Sequence, residues 1–290
     1  NSSPYTLDEP SVVGHSRYPS YNFLPVARGD SGGPRWRWKL DPEMPRSRYS
    51  PAYADHFAET TEFQIARFPR GDSTAVVGIL SVPAGDTALH GPISMGVGVS
   101  DGPGRVTFVR EDSIEAPRAL VVVGPRGPVV AGVEAWRGKR YLRARAALPG
   151  VDSTAPFPLS DPLLFESDAE LPTALEQAAA RALPSARISR SKPVGVYWET
   201  SGVAGDSMTV AIAVVPVRRG LLGRIAQGLT VVGAKAPLAL EWRTEGPADF
   251  AGQAIELDLG RLDTGRYILR LETKTDRGVA TSERPIELIR

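Results

Sequence analysis

Short runs of alternating apolar and polar residues recur along most of this chain, and clusters of turn residues separate them. In 266–272, Tyr267, Leu269 and Leu271 point one way, and Arg266, Ile268, Arg270 and Glu272 point the other. A period of two is the signature of a strand with one face inward. Asp263, Thr264 and Gly265 supply the reversal before it. The same pattern predicts strands over 194–200, 207–217, 237–244, 254–259, 266–275 and 279–289. Further upstream it predicts strands over 62–68, 74–82, 93–99, 105–109, 119–123, 129–136 and 141–147. Turn clusters such as 70–73, 101–104 and 124–128 lie between these. Two sets of short strands at this spacing predict an all-β protein of two tandem immunoglobulin- or fibronectin-like β-sandwiches.

The expected organisation is an extended arm over 1–55, a first sandwich over 56–168, a connector helix within 169–187 and a second sandwich over 188–290. The arm is rich in Pro, Ser, Tyr and Arg, and its prolines forbid long helices. Its aromatic and arginine content suits docking, on its own sandwich or on another protein. Tyr18, Tyr21, Phe23, Trp36, Arg37 and Trp38 are the anchors expected to bind a partner. The helix is expected over 170–183, with Pro172 in its first turn, Leu171, Leu175 and Ala179 buried, and Pro184 as its stop. One stretch, 218–229, breaks the strand pattern. Leu221, Leu222, Ile225 and Leu229 fall on one helical face, with Arg218, Arg219 and Arg224 around them. Such a basic amphipathic insertion fits a membrane surface or a partner's groove, with Arg218, Leu221, Leu222 and Ile225 as its contact residues. A plainer reading has it cap the end of its own sandwich.

Charge and composition remove several functions. With 34 Lys and Arg against 33 Asp and Glu, the net charge of +1 lacks the basic excess of a nucleic-acid binder. Arginine dominates the basic set, and Lys39, Lys139, Lys192, Lys235 and Lys274 are the only lysines. Arginine stacks and forks better than lysine at interfaces, though a GC-rich genome gives the same bias. Cysteine is absent, which excludes disulfides, thiolate metal sites and a cysteine nucleophile within these residues. No apolar run reaches the length of a membrane span. A first residue of Asn1 fits a cleaved secretory signal or a trimmed precursor, so an extracytoplasmic, periplasmic location is expected.

Several motifs imitate chemistry. Gly29, Asp30, Ser31, Gly32, Gly33 and Pro34 match the segment around the nucleophilic serine of trypsin-like proteases. The histidine and aspartate partners of that serine should lie far upstream, and only 28 residues precede the motif. A hydrolase fragment acting through Ser31 is therefore a distant alternative. Gly132 to Lys139 approaches a phosphate-binding loop but has one residue too many between its glycines, and Arg140 replaces the magnesium-binding hydroxyl. Arg28-Gly29-Asp30 and Arg70-Gly71-Asp72 read as plain turns. His15, His56 and His90 show no metal-ligand spacing, and Glu111, Asp112 and Glu115 fit a solvated loop. No cofactor, metal or catalytic residue is expected. Trp136, Trp198 and Trp242 lie within strand patterns, so packing is their default role; exposed and coplanar, they would make a sugar-binding platform.

Ser47 to Pro51, Gln64 to Ser73, Leu159 to Leu164, Val196 to Glu199 and Gly265 to Tyr267 together resemble the β-rich C-terminal part of bacterial secreted proteins named for a GWxTD domain. The resemblance runs from about residue 45 onward, and the GWxTD signature itself is absent. It implies an extracytoplasmic, non-catalytic protein and carries over no site residues. An arginine-rich pair of sandwiches with a docking arm also resembles the membrane-extrinsic accessory subunit of bacterial photosynthetic reaction-centre and light-harvesting supercomplexes. That resemblance implies a non-enzymatic scaffold, peripheral to a membrane, whose partners are protein subunits of a larger complex. A carbohydrate-binding module is the first alternative.

Overall fold

A computed structural model describes residues 61–102, 105–138, 140–151, 154–167, 170–217, 236–246 and 251–290. Seven strands build the first sandwich: β1 (Phe63–Arg70), β2 (Ser73–Leu80), β3 (Ile93–Gly102), β4 (Arg105–Ile114), β5 (Leu120–Pro125), β6 (Val129–Arg137) and β7 (Arg140–Leu148). One sheet has the order β1-β2-β5 and the other β4-β3-β6-β7. In the second sandwich, β8 (Leu163–Glu166), β10 (Val194–Thr200) and β13 (Ala251–Leu257) form one sheet. The facing sheet holds β9 (Arg187–Ser189), β11 (Ser207–Pro216), β12 (Leu238–Glu245), β14 (Gly265–Thr275) and β15 (Gly278–Ile289), in the order β12-β11-β14-β15-β9. Setting β9 aside, both halves place their first, second and fifth strands on one sheet and the remaining four on the other. That is a seven-stranded immunoglobulin-like sandwich of the fibronectin type, with the fourth strand on the same sheet as the third, sixth and seventh.

Alternation explains each core. Ile65, Val76, Val97, Leu120, Val122, Val133 and Leu142 point between the sheets of the first sandwich. Val196, Trp198, Val210, Ile212, Leu269 and Leu271 do the same in the second. Every strand expected from the sequence is present, with ends moved by up to five residues.

Two strands were not expected. Residues 163–166, assigned from the sequence to the first sandwich, pair with Val194 to Tyr197 and so belong to the second. The boundary between sandwiches therefore falls before Leu163 rather than at 168. Strand β9 runs parallel to the end of β15, so the chain crosses from one sheet to the other between β8 and β10.

That crossing also corrects the connector helix. Only Leu175–Ala180 is helical; we call it α1. Beyond it the Glu166 N–H reaches the Arg181 carbonyl and the Leu183 N–H reaches the Leu164 carbonyl, so the chain leaves the helix to pair with β8. At the other end the Thr173 N–H is taken by the Gln177 side chain. Leu175, Ala178 and Ala179 are buried, whereas Leu171 is 40% exposed, against the expectation for it. The helix is thus an insertion within the second sandwich rather than a link between domains.

Candidate functional site: the joint and the sheet faces

The three-stranded sheets of both sandwiches are apolar on their second faces as well. Ala66 and Phe68 of β1 and Ala75, Val77 and Ile79 of β2 meet Leu163 and Phe165 of β8, Tyr197 of β10, and Leu175, Ala178 and Ala179 of α1. A strand buried on both faces reads as continuous apolar sequence, which is what Ala75 to Leu80 and Leu163 to Phe165 show. The result is a stack of four sheets, with the two three-stranded sheets innermost.

Polar groups inside this joint are paired across it. The Gln64 amide, 1% exposed, donates to the carbonyls of Leu164 at 3.0 Å and Leu183 at 2.8 Å. Its oxygen accepts the Leu164 N–H at 2.7 Å. One side chain of β1 thereby imitates a strand neighbour for β8. Arg67 forks onto Asp161, Nε to Oδ2 and Nη2 to Oδ1, both at 2.9 Å; the Arg67 N–H also donates to Asp161 Oδ2, and the Asp161 N–H donates to the Arg67 carbonyl. Burial works against the Arg67 cation, but the hydrogen bonds and charge of Asp161 outweigh it and hold the guanidinium above its ordinary value. Arg70 forks onto Glu199, which also accepts the Tyr197 hydroxyl at 2.8 Å.

Arg284 of β15 reaches through to the first sandwich and donates to the carbonyls of Ile65, at 2.9 Å, and Pro162. Burial pushes its pKa down to about 10, with Asp161 opposing the shift and Arg67 adding to it. The group stays charged at neutral pH. Its folded value lies below its unfolded one, so the charged form carries a penalty at every pH below about 10. That penalty fades as pH rises beyond this value. The difference corresponds to roughly 3 kcal/mol.

Tyr197 moves the opposite way. Burial first, then the Glu199 charge and hydrogen bond, with a smaller contribution from Glu176, hold its phenol protonated above the ordinary range, with Arg70 opposing. Stability from this group is complete below pH 10 and is lost as pH rises beyond that. In a spectrophotometric titration Tyr197 is expected to stay protonated until the alkaline unfolding transition. The stability difference between the native chain and Tyr197→Phe should be constant below pH 10 and shrink above it. A difference that grows with pH would contradict this arrangement.

On the far side of the first sandwich, the outer face of β3, β4, β6 and β7 is unlike a solvated sheet. Gly98 stands opposite Gly132, with Gly96 nearby, and these glycines let large side chains lie flat. Phe108 covers Gly96, where a Cβ would clash with the tip of its ring, and the Arg145 stem lies over Gly132. Glu134 sits 3.1 Å from Arg143 and 3.4 Å from Arg145. The Arg143 guanidinium stands over the Tyr141 ring at 5.6 Å, and Arg110 over Trp136 at 5.0 Å. Beside them, the Ser94 hydroxyl and then Arg110 hold the Asp112 carboxyl below its usual range.

The tryptophans do not make a sugar platform. Trp198 is fully buried in the second core, Trp242 packs partly buried against it, and their rings tilt by 60° at 6.1 Å. Trp136 is 5% exposed in the other sandwich. The geometry that a carbohydrate-binding reading needs is therefore missing from these three residues. A cleft of about 560 Å³ opens beside the joint, walled by Pro149, Pro156, Phe157 and Pro158 with Arg67 and Asp161 at its base. Its two charges are already spent on each other. The partner contacts expected at Tyr18, Tyr21, Phe23, Trp36, Arg37 and Trp38, and at Arg218, Leu221, Leu222 and Ile225, lie outside the described residues, as does Ser31. Sequence reading missed Gln64, Arg67, Asp161 and Arg284 altogether. Gln64, set between the apolar Phe63 and Ile65, was the one available signal.

Among the described residues, no group of His, Asp and Glu is arranged to hold a metal, and no helix is long and apolar enough to cross a membrane. No family model matches the chain, and no curated protein matches it. Among solved structures, a transglutaminase from red sea bream aligns over 80% of this chain at 9% identity, with a TM-score of 0.23. The chain covers 32% of that protein, and so weak a likeness carries no argument about activity.

Proposed function

We propose that this protein is a non-enzymatic, membrane-extrinsic scaffolding subunit: a stiff strut of two β-sandwiches that docks on a larger assembly. The observation that supports it best is the joint. Apolar faces of both three-stranded sheets are buried against each other, and Gln64, Arg67 and Arg284 cross from one half to the other. A buried guanidinium that costs stability while selecting one arrangement serves geometry rather than folding strength. A fixed spacing between two sandwiches is what a scaffold needs and what a flexible pair of binding modules lacks. Resemblance to GWxTD-type tails and to extrinsic photosynthetic subunits supports an extracytoplasmic assembly, a reaction-centre and antenna complex being the specific candidate.

Two measurements test the reading. Solution scattering should fit one inter-sandwich arrangement at low and high ionic strength, and a broad range of distances would refute the strut. Solubilising native membranes at mild ionic strength should bring the protein down with stoichiometric membrane subunits. Recovery as a lone monomer would remove the scaffold role.

A further inference from the structure

One sheet edge suits pairing and has no mate among the described strands. Strand β12 ends the five-stranded sheet and pairs with β11 alone, through eight residues in unbroken register from Leu238 to Glu245. A free edge exposes a row of backbone N–H and C=O groups, and proteins blunt such edges with brevity, bulges, prolines or charges that repel a second strand. The other edges carry those devices. β8 and β9 have four and three residues. β4 has two register shifts, and β1 and β5 contain Pro69 and Pro125. β7 holds three arginines and no acid, and Glu256 is the one charge of β13. β12 is neither short nor bulged, has no proline, and carries charges of both signs.

Its side chains specify the mate. Successive residues of a strand alternate between faces. Trp242 packs against the second core, so Leu238, Leu240 and Thr244 share its inner side, and Ala239, Glu241, Arg243 and Glu245 take the outer side. Glu241 and Arg243 are exposed, and no hydrogen bond or ion pair among the described residues uses either. Leu240 is 40% exposed although it lies on the inner side.

We infer that β12 is the seam of a two-fold homodimer, pairing antiparallel with β12 of a second copy about Trp242. A two-fold axis perpendicular to the sheet sets each residue opposite the one equally far across the centre, so the choice of centre decides every pair. Centred on Trp242, Glu241 of each copy meets Arg243 of the other on the outer face. The two Trp242 rings then meet on the inner face, and exposed Leu240 lies opposite Thr244 and diagonal to Trp242 of the second copy. A centre on Glu241 puts glutamate against glutamate. A centre on Arg243 puts arginine against arginine and Glu241 against Glu245. Like charges directly opposite are unfavourable. A centre on Leu240 sets Glu241 against Ala239 and Arg243 against Pro237, so neither charge finds a complement. Only the Trp242 centre satisfies both. The inference goes beyond the scaffold reading and does not depend on it, since the seam needs no third protein.

The test is sedimentation equilibrium of the full chain and its charge-swap variants. The native chain should form a reversible dimer. Glu241→Arg sets arginine against arginine at both outer pairs, and Arg243→Glu sets glutamate against glutamate. Each alone should therefore dimerise at least roughly tenfold more weakly. Mixed in equal amounts, the two variants should recover near-native affinity as a heterodimer, because both crossed pairs again join opposite charges. The double swap in one chain should dimerise like the native protein. Thermal melting checks that each variant is folded; where a single swap is not, Glu241→Lys and Arg243→Asp replace the pair. A native chain that stays monomeric at every concentration overturns the inference. So do single swaps that dimerise as well as the native chain, which would place the contact on another surface, and a mixture that fails to recover.

Discussion

Phe165→Ala is expected to destabilise the protein by about 4 kcal/mol, the cost of removing a fully buried aromatic and leaving a cavity. Phe165 lies in the joint, and its ring fills the space that a side chain at Gly195 would occupy. The Arg181 guanidinium stands over the ring at 5.1 Å. Gly195→Ala should therefore be costly on its own, about 3 kcal/mol, because its methyl group would clash with the ring and the core has no slack. Combined, the two changes should cost clearly less than their sum, since the alanine methyl enters the cavity that the missing ring leaves. Urea denaturation of the two single variants and the double variant gives the coupling. Strict additivity would mean that the ring does not sit where the structure puts it.

Gln64→Leu should cost about 3 kcal/mol, although leucine keeps the volume and suits the apolar surroundings. The loss is polar: three hydrogen bonds disappear, and the Leu164 N–H is left buried without its acceptor. The effect should extend beyond stability. Because Gln64 ties β1 to β8, the variant should broaden the inter-sandwich distances seen by scattering, while each sandwich keeps its own core. Gln64→Glu is the sharper control, because a carboxylate cannot donate to the carbonyls of Leu164 and Leu183. A Gln64→Leu variant within 1 kcal/mol of the native chain and equally rigid would show that the apolar contacts alone hold the joint.

Strand content was legible in the sequence because each strand carries its own evidence. Alternation in 266–275 or 129–136 requires only that one face be wet or polar and the other dry, and the turn residues between runs mark where each ends. The two missed strands lacked that evidence. Residues 163–166 number only four and are buried on both faces, and 187–189 number three, so neither is long enough to show a period. Helix 170–183 was overestimated for a related reason. Ala178, Ala179 and Ala180 favour a helix locally, but the backbone beyond Ala180 gains more by pairing with β8 than by another turn.

By itself, then, the sequence determined that the chain is all-β, where thirteen of its strands run, and that it carries no cysteine chemistry. These are local properties, written in periods of two and in single residue types. Tertiary structure decided which sandwich β8 joins and that two tandem sandwiches become one stack. It also decided that Gln64, Arg67, Asp161 and Arg284 meet, although Arg284 lies 219 residues from the Ile65 carbonyl it holds. It made Trp198 a core residue and buried Trp136 on the opposite sandwich's outer face. Contacts between residues far apart in sequence leave no period behind. An arginine bound for a buried joint and one bound for solvent look alike until the sheets that enclose them are in place.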